Sequence, residues 1–522
     1  MSFTGTLLPY QVEAVQAMVD KHKMLVAYDL GLGKTVLTIA AIEELKAVGK
    51  IKKPGIIICL SSLKYQWAEQ IRKFTDDSQP LVIDGTPKQR EAQYASALTG
   101  EYSHVIVNYE QVVNDWDQIR KLSRGFIVID EATAIKSFRS KRSRHVKKLS
   151  STIKFALTGT PIENGRPEEL YSIMQFIDPE LLGRWDLFDK TFIVRNHFGG
   201  VERYRNLPTF HKAISVSSVR KRQEDPDVAP YLPDTIMAFP INVQFDTAGS
   251  RLYNRIKNDL LSDLDEALES YGAGFDLFAH YHGQQDGGAK DLLRGKIMAK
   301  LTALRMLCDH PDLLRGSATA YAQGDGKGSK YASELEEAGH LDAKLSAPKL
   351  KALVEYVDNF LSEYEGNKVV IFTSYVKMVE ILKKELKFES TTYTGQMNAK
   401  DKEASKIHFQ TDPSCRILIS SDAGGYGVDL PQANLLINYD IPWNAGLAVQ
   451  RNGRIRRASS QWPSIVIQDF IMEGSIEERQ HAMLAQKNSV ADAIIDGEGI
   501  DAEGGMTLNL GSLREFLTLS LV

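Results

Sequence analysis

The sequence predicts an α/β chain of two parallel-sheet lobes with helical insertions. Three observations carry that prediction. Short apolar runs recur without polar alternation, helical patterns lie between them, and the runs fall into two series about 200 residues apart. Continuous Val/Ile/Leu runs belong to strands buried on both faces, as in parallel sheets. Strand–helix alternation covers such sheets with helices on both sides. At 522 residues the chain is also too long for one ordinary domain.

The first series is "GIIICLSS" (55–62), "HVIVNYE" (104–110), "FIVIDEAT" (126–133) and "KFALTGTP" (154–161). The second is "KVVIFTS" (368–374), "RILISSD" (416–422), "LLINYD" (435–440) and "IVIQDF" (465–470). "QVEAVQAMVDK" and "VKMVEILKKEL" are among the helical patterns between them. Helical insertions are expected near 180–222 and 255–345, interrupted by the Gly-rich "HGQQDGGAKD" and "AQGDGKGSK". The expected organisation is a first lobe over 1–234, a second over 235–485, and a flexible acidic C-terminal tail over 486–522 that ends in a small amphipathic element. In open parallel sheets ligands bind at the carboxyl ends of the strands. Each run above ends there in small or polar residues, so chemistry is expected at those endings.

Composition narrows the partners. Hydrophobic residues make up 43% and charged residues 25%, an ordinary globular balance. A formal net charge of −4 provides no overall field for nucleic acid, so such a partner needs a local basic patch. Cys59, Cys308 and Cys415 are too few for a disulfide framework or a four-cysteine zinc site. "HYH" (280–282) and "CDHP" (308–311) lack the paired cysteines a zinc site uses, so no metal is expected on them. "IIICL" falls far short of the roughly 20 residues a membrane span needs. "MSFTGTLLPYQ" has no charged-then-apolar leader. The expectation is a soluble, intracellular protein in a bacterial or phage-infected cell, or in the nucleus of a eukaryotic one.

"MLVAYDLGLGKT" is an apolar strand, a glycine turn and the start of the helix "VLTIAAIEELK". This is the context of a phosphate-binding loop, although Tyr28 stands where the full pattern has glycine. Glycines let the backbone approach phosphates, and helix N–H groups face the anion. Lys34 reaches the outer phosphates, and the Thr35 hydroxyl holds magnesium. Asp130 and Glu131 end a buried strand about 95 residues later. Such a pair divides labour, Asp130 holding the metal and Glu131 polarising the attacking water. In "QRNGRIRR" (450–457), Arg454 and Arg457 stand three apart, a spacing that on a helix gives them one face. Arginine delivered from a second lobe stabilises charge on a transferred phosphoryl group.

With these motifs in hand the chain resembles superfamily 2 helicase-type ATPases, and more closely the Swi/Snf-like double-stranded DNA translocases. The resemblance rests on "LLPYQVEAV", "DLGLGKT", "LSSLKYQWAEQIRKF", "NYE", "DEATAIKS", "LTGTPIENGRPEELYSIMQFIDP", "LTALRMLCDHPDLL", "KVVIFTSY", "SSDAGGYGVDLPQANLLINYDIPWN" and "QRNGRIRR", in order along most of residues 7–480. It implies two RecA-like lobes, ATP and Mg2+ as cofactors, and a DNA-dependent ATPase. It assigns adenine recognition to Gln11 and nucleotide contacts to Leu30, Gly31, Leu32, Gly33, Lys34 and Thr35. Asp130 and Glu131 serve metal and hydrolysis, and Thr158 and Thr160 couple the lobes. Gly427 and Asp429 lie at the interface, and Gln450, Arg454 and Arg457 complete the site. The family position of Tyr28 is usually acidic. Two departures stand out. Ala132-Thr133 replaces the family's Gly-His, and "GRIRR" replaces a form that often carries an acid and a His.

"KSFRSKRSRHVKK" (136–148) holds seven Lys/Arg and no acid, directly after the Asp-Glu pair. A basic run beside the cleft suits sequence-independent phosphate contact. Lys136, Arg139, Lys141 and Arg142 are its candidate contacts, and "SVRKR" (218–222) is a weaker second patch. Ser61, Ser62, Thr373, Ser374, Ser420 and Ser421 resemble the family's backbone-contacting hydroxyls. Trp443 is a further candidate, whereas Trp67 reads as core. The expected partner is duplex or branched DNA, bound without sequence specificity. A strand-separating or branch-migrating DNA/RNA helicase is the alternative, and an ATP-gated recruitment module a third reading.

Overall fold

The computed structural model describes residues 3–162, 166–195, 201–272, 288–342, 344–422, 428–442, 445–482, 484, 513–514 and 517–518. The first lobe is built on seven parallel strands. They are β1 (Lys23–Tyr28), β2 (Gly55–Cys59), β3 (Pro80–Val82), β4 (His104–Asn108), β5 (Ile127–Asp130), β6 (Lys154–Leu157) and, after the hairpin β7 (Ile193–Arg195)–β8 (Val201–Tyr204), β9 (Ser218–Lys221). Their order is β3-β4-β2-β5-β6-β1-β9. β2 shows why they read as continuous apolar runs. Ile56 and Ile58 join one buried cluster with Leu170, Ile173 and Phe176, while Ile57 and Cys59 join another with Leu37, Ile39 and Trp67. Both faces are covered, so neither carries a polar alternation.

The second sheet contains β10 (Asp234–Met237), β11 (Ile241–Val243), β12 (Val369–Thr373), β13 (Ser390–Tyr393), β14 (Ile417–Ser421), β15 (Leu435–Asn438) and β16 (Ser464–Met472). The order is β10-β16-β15-β12-β14-β13, with β11 also against β16, and every pairing is parallel. All eight strands expected from the apolar runs are present. β3, β9, β10, β11 and β13 were not expected, because they are short or polar and get their place from the sheet beside them.

The insertions differ in part from expectation. The segment near 180–222 is a helix (Trp185–Phe192), the β7–β8 hairpin and a second helix (Leu207–Ser215), after which the chain rejoins the main sheet as β9. Its root is aromatic: Trp185 stacks on Phe138 at 4.4 Å, and Phe188 meets Tyr171 at 4.4 Å. In the second lobe four helices, Thr247–Tyr271, Ala289–Asp309, Pro311–Ala322 and Lys330–Glu337, enclose their own core. Leu513 and Leu517 are buried in that core and Arg514 pairs with Asp265 at 2.5 Å, so at these residues the expected free tail is packed against the helices. Buried Lys349 ties the helices to the sheet, 3.0 Å from Asp309 and 2.6 Å from Glu477. His280 and His282 lie outside the described residues. Cys308 is buried, and no group of metal-ligating side chains occurs among the described residues.

Candidate nucleotide site between the lobes

β1 ends at Tyr28, and the helix Lys34–Ala47 starts six residues later. Gly31 (φ +83°) and Gly33 (φ +78°) turn the chain between them in the left-handed region. Neither position has room for a side chain. A Cβ on Gly31 would lie 2.7 Å from the Arg456 carbonyl oxygen and 2.8 Å from Arg457 Nη1, and one on Gly33 would lie 2.4 Å from Gln11 Nε2. Leu30 and Leu32 are buried, so only their backbones serve the loop. Tyr28 is core, its hydroxyl donating to the Tyr10 carbonyl at 2.9 Å. Gln11 is held at both ends of its amide: Oε1 accepts from Leu8 N–H at 2.9 Å, and Nε2 donates to the Leu32 carbonyl at 3.1 Å. In this arrangement Gln11 braces the loop and keeps a second N–H and a second lone pair on the same amide.

Lys34 Nζ donates to the carbonyl oxygens of Tyr28 (2.8 Å) and Asp29 (3.0 Å). Burial lowers its pKa to about 8, against the opposing pull of Glu131 and Asp130. A phosphate ligand favours the charged ammonium, so nucleotide binding takes up a proton once Lys34 begins to lose its own. Nucleotide affinity is therefore expected to fall as pH rises above about 8. The slope should approach one decade per pH unit, and it should flatten in Lys34→Arg, which stays charged. Titration of a fluorescent ATP analogue between pH 7 and 9.5 checks this.

Asp130 closes β5 and is almost fully buried. Trp67 Nε1 donates to its Oδ2 at 2.8 Å, the Glu131 N–H donates to its Oδ1 at 2.9 Å, and the Tyr109 hydroxyl donates to its carbonyl at 2.7 Å. Burial pushes the Asp130 carboxyl up, and the Trp67 bond works against that shift. Glu131 adopts φ +51°, a left-handed conformation that strains a non-glycine residue by about 1–3 kcal/mol. The turn thus holds two adjacent carboxylates at one strand end, within electrostatic reach of Lys34. Thr35, second in the helix, supplies a hydroxyl. A carboxylate and a hydroxyl are the hard oxygen donors that suit Mg2+, with phosphate and water completing its shell.

The second lobe contributes the stretch after the helix Ala445–Asn452. Arg454 and Arg457 do not share a helix face as their spacing suggested, because the helix ends at Asn452. Gly453 follows, where a Cβ would lie 2.8 Å from Leu30 Cβ. Arg457 is 6% exposed, pairs with Asp429 at 2.5 Å and reaches the Gly31 turn. Gln450 and Arg454 are buried, and Gln450 Oε1 has no partner among the described residues. Thr158 Oγ1 accepts from Thr160 N–H at 3.2 Å, while the buried Thr160 Oγ1 has no partner among the described residues. Thr133 is buried in the turn after Glu131. Gly427 lies outside the described residues.

The nucleic-acid candidates separate by exposure. Ser61, Ser62, Arg139 and Lys141 are exposed. Lys136 is half-buried, and Arg142 pairs with Glu110 and lies over the Tyr109 ring. Lys147, in the same basic run, turns inward to Ser172 (2.7 Å) and Gln175 (3.0 Å), and burial lowers its pKa to about 7. Thr373, Ser420 and Ser421 are buried, because β12 and β14 lie inside the sheet. Thr373 and Ser374 both donate to Asp440 at 2.7 Å, and Ser420 donates to the Tyr393 carbonyl at 3.0 Å. These hydroxyls make hydrogen bonds within the chain in this arrangement. The basic "SVRKR" patch is strand β9, with Arg220 on Asp29 and Lys221 on Asp227 and Glu13. Trp443 lies outside the described residues.

Several residues that organise the site were not assigned to it from the sequence. Trp67 and Tyr109 read as core or as part of a motif, and nothing in their spacing reveals the bonds to Asp130. Arg451 is the most buried arginine of its motif, bound to Asp422 (2.6 Å) and to Asp440 (3.0 Å). A charged residue between two expected site residues was the available signal.

Residues 10–313 match the family model described as SNF2-related domain, and residues 348–459 match that described as Helicase conserved C-terminal domain. A Bacillus subtilis protein, YwqA, whose name marks it as a candidate ATP-dependent helicase/translocase, is 27% identical over 99% of this chain and 51% of its own. The ISWI chromatin-remodeling complex ATPase ISW1 of Saccharomyces cerevisiae is 24% identical over 94% of this chain and 41% of its own. The chain thus spans about half the length, or less, of these curated relatives. The solved Hef helicase domain of Pyrococcus furiosus is 17% identical with a TM-score of 0.52, covering 91% of this chain and 97% of that one, a likeness of fold.

Proposed function

This chain belongs to the SNF2-related domain family, and we propose that it is an ATP-hydrolysing motor of two RecA-like lobes that moves along duplex DNA. The observation that carries the proposal is the meeting of Arg457 from the second lobe with the Gly31 turn of the first, beside Lys34, Asp130 and Glu131. A phosphoryl-transfer site needs positioning and charge stabilisation more than covalent chemistry, and these residues supply both.

Lys34 and the N–H groups opening its helix hold the outer phosphates. Thr35 and Asp130 would hold Mg2+, which would supply positive charge to offset that of the phosphates. Glu131 orients the attacking water and accepts its proton. Arg457, with Gln450 and Arg454 behind it, meets charge developing on the transferred group. Because the site is divided between lobes, nucleotide binding draws the lobes together and hydrolysis releases them. We place the lobe boundary near residue 234. Exposed Ser61, Ser62, Arg139 and Lys141 grip the phosphate backbone from the first lobe, independent of base sequence. Among the described residues no helix is long and apolar enough to cross a membrane.

Steady-state ATP hydrolysis with blunt duplex DNA, single-stranded DNA and structured RNA tests this reading, with Lys34→Ala as the blank. Duplex DNA is expected to give the largest stimulation. Stimulation by single strands or RNA alone would overturn it in favour of strand separation.

A further inference from the structure

Arg456 lies in the second lobe, one residue before Arg457, and its guanidinium crosses to the first lobe. Nη1 donates to Gln223 Oε1 at 2.9 Å and lies 3.0 Å from Glu224 Oε1. Gln223 is 9% exposed and uses the other end of the same amide on the phosphate loop, where Nε2 donates to the Leu30 carbonyl at 2.7 Å. Its backbone N–H donates to Asp29 Oδ2 at 3.0 Å, and Asp29 Oδ1 accepts from Arg220 on β9 at 2.6 Å. One amide therefore joins a carbonyl of the phosphate loop to an arginine of the opposite lobe. The Arg456 backbone is also against the loop, its carbonyl oxygen 2.7 Å from where a Cβ on Gly31 would stand.

We propose that Gln223 and Arg456 form an interlobe latch, which couples the conformation of the phosphate loop to the second lobe and positions Arg457. The inference rests on reading the chain as an ATPase. Neither residue touches the reacting atoms; both are positioning residues. Glu224, at 70% exposure, is screened by water and adds little. The Gln223 bond is charge-assisted and partly buried, so it carries the contact. Leu30 and Arg456 share one planar amide. A shift of the Leu30 carbonyl as the loop closes on phosphates therefore turns the acceptor that Arg456 depends on, and Arg457 is the next residue along.

Two readouts on the full chain test the latch. The first is ATPase kinetics of Arg456→Ala, Gln223→Ala and the double variant. Each single change is expected to lower kcat about ten-fold, the worth of a charge-assisted bond. The KM for ATP should stay within about two-fold, because loop contacts to phosphate remain. The double variant should be no worse than the poorer single, and Arg456→Lys should recover part of the loss. The second readout is the distance between dyes at Lys88→Cys and Lys400→Cys, which have no competing labels because Cys59, Cys308 and Cys415 are buried. Both single variants are expected to lengthen that distance. Multiplicative losses in the double variant, or an unchanged distance, would overturn the latch. If the unsubstituted chain fails to hydrolyse ATP, the motor reading fails, while the distance still decides the latch. If Arg456→Ala fails to fold, Gln223→Glu carries the test. It keeps an acceptor for Arg456 and loses the donor to Leu30, so the lobes should stay together while kcat falls; unchanged kcat would overturn the coupling.

Discussion

Glu131→Gln is expected to lower kcat for ATP hydrolysis by about 10²–10⁴-fold, the range a positioned general base contributes, while ATP still binds. The amide fits the same space but accepts no proton. The position of the group is set by the backbone, with φ +51° at Glu131 and the Tyr109 hydroxyl on the preceding carbonyl. A change of one side-chain atom disturbs neither. In the proposed site phosphate binding falls to Lys34 and its helix, so affinity is expected to hold. Single-turnover hydrolysis and fluorescent-nucleotide binding on the same preparation separate the two effects. A kcat within a few-fold of the parent would remove Glu131 from the hydrolytic step.

Arg457→Ala carries the other large effect. An arginine that meets the transferred phosphoryl group contributes about 10³–10⁵-fold. Arg457 is buried, fixed by Asp429 at 2.5 Å, and its Nε has no partner among the described residues. Its guanidinium is thus held at the Gly31 turn with donor capacity in reserve. Arg457→Lys is expected to restore little, since an ammonium cannot reproduce the planar fork. The loss should appear in kcat, with the KM for ATP nearly unchanged. A rise in KM at constant kcat would instead assign Arg457 to ground-state binding.

The parts of the molecule that were legible in sequence share a physical cause. Strands such as β2 and β12 are buried on both faces, and that leaves an unbroken apolar run. The Gly31-Leu32-Gly33-Lys34-Thr35 turn was legible because only glycine fits its left-handed positions and its close approach to Arg456 and Gln11. The short edge strands were not legible, because β3 and β9 depend on a neighbour for their pairing. Burial at the strand ends was not legible either. Thr373, Ser420 and Ser421 sit at strand ends like surface hydroxyls, yet neighbouring strands cover them. The basic run at 136–148 gave charge but not direction, and Lys147 points into the protein. Contacts between the lobes were the least accessible. Gln223 and Arg456 are 233 residues apart, and no local pattern joins them.

The most direct measurement of the central claim is displacement of a third strand from a DNA triplex by the full chain and ATP. Movement along the duplex requires the third strand to be released without separation of the underlying strands, and requires Lys34→Ala to be inert. Failure to release it, combined with ATP-dependent unwinding of a forked duplex, would contradict duplex translocation and identify a strand-separating helicase.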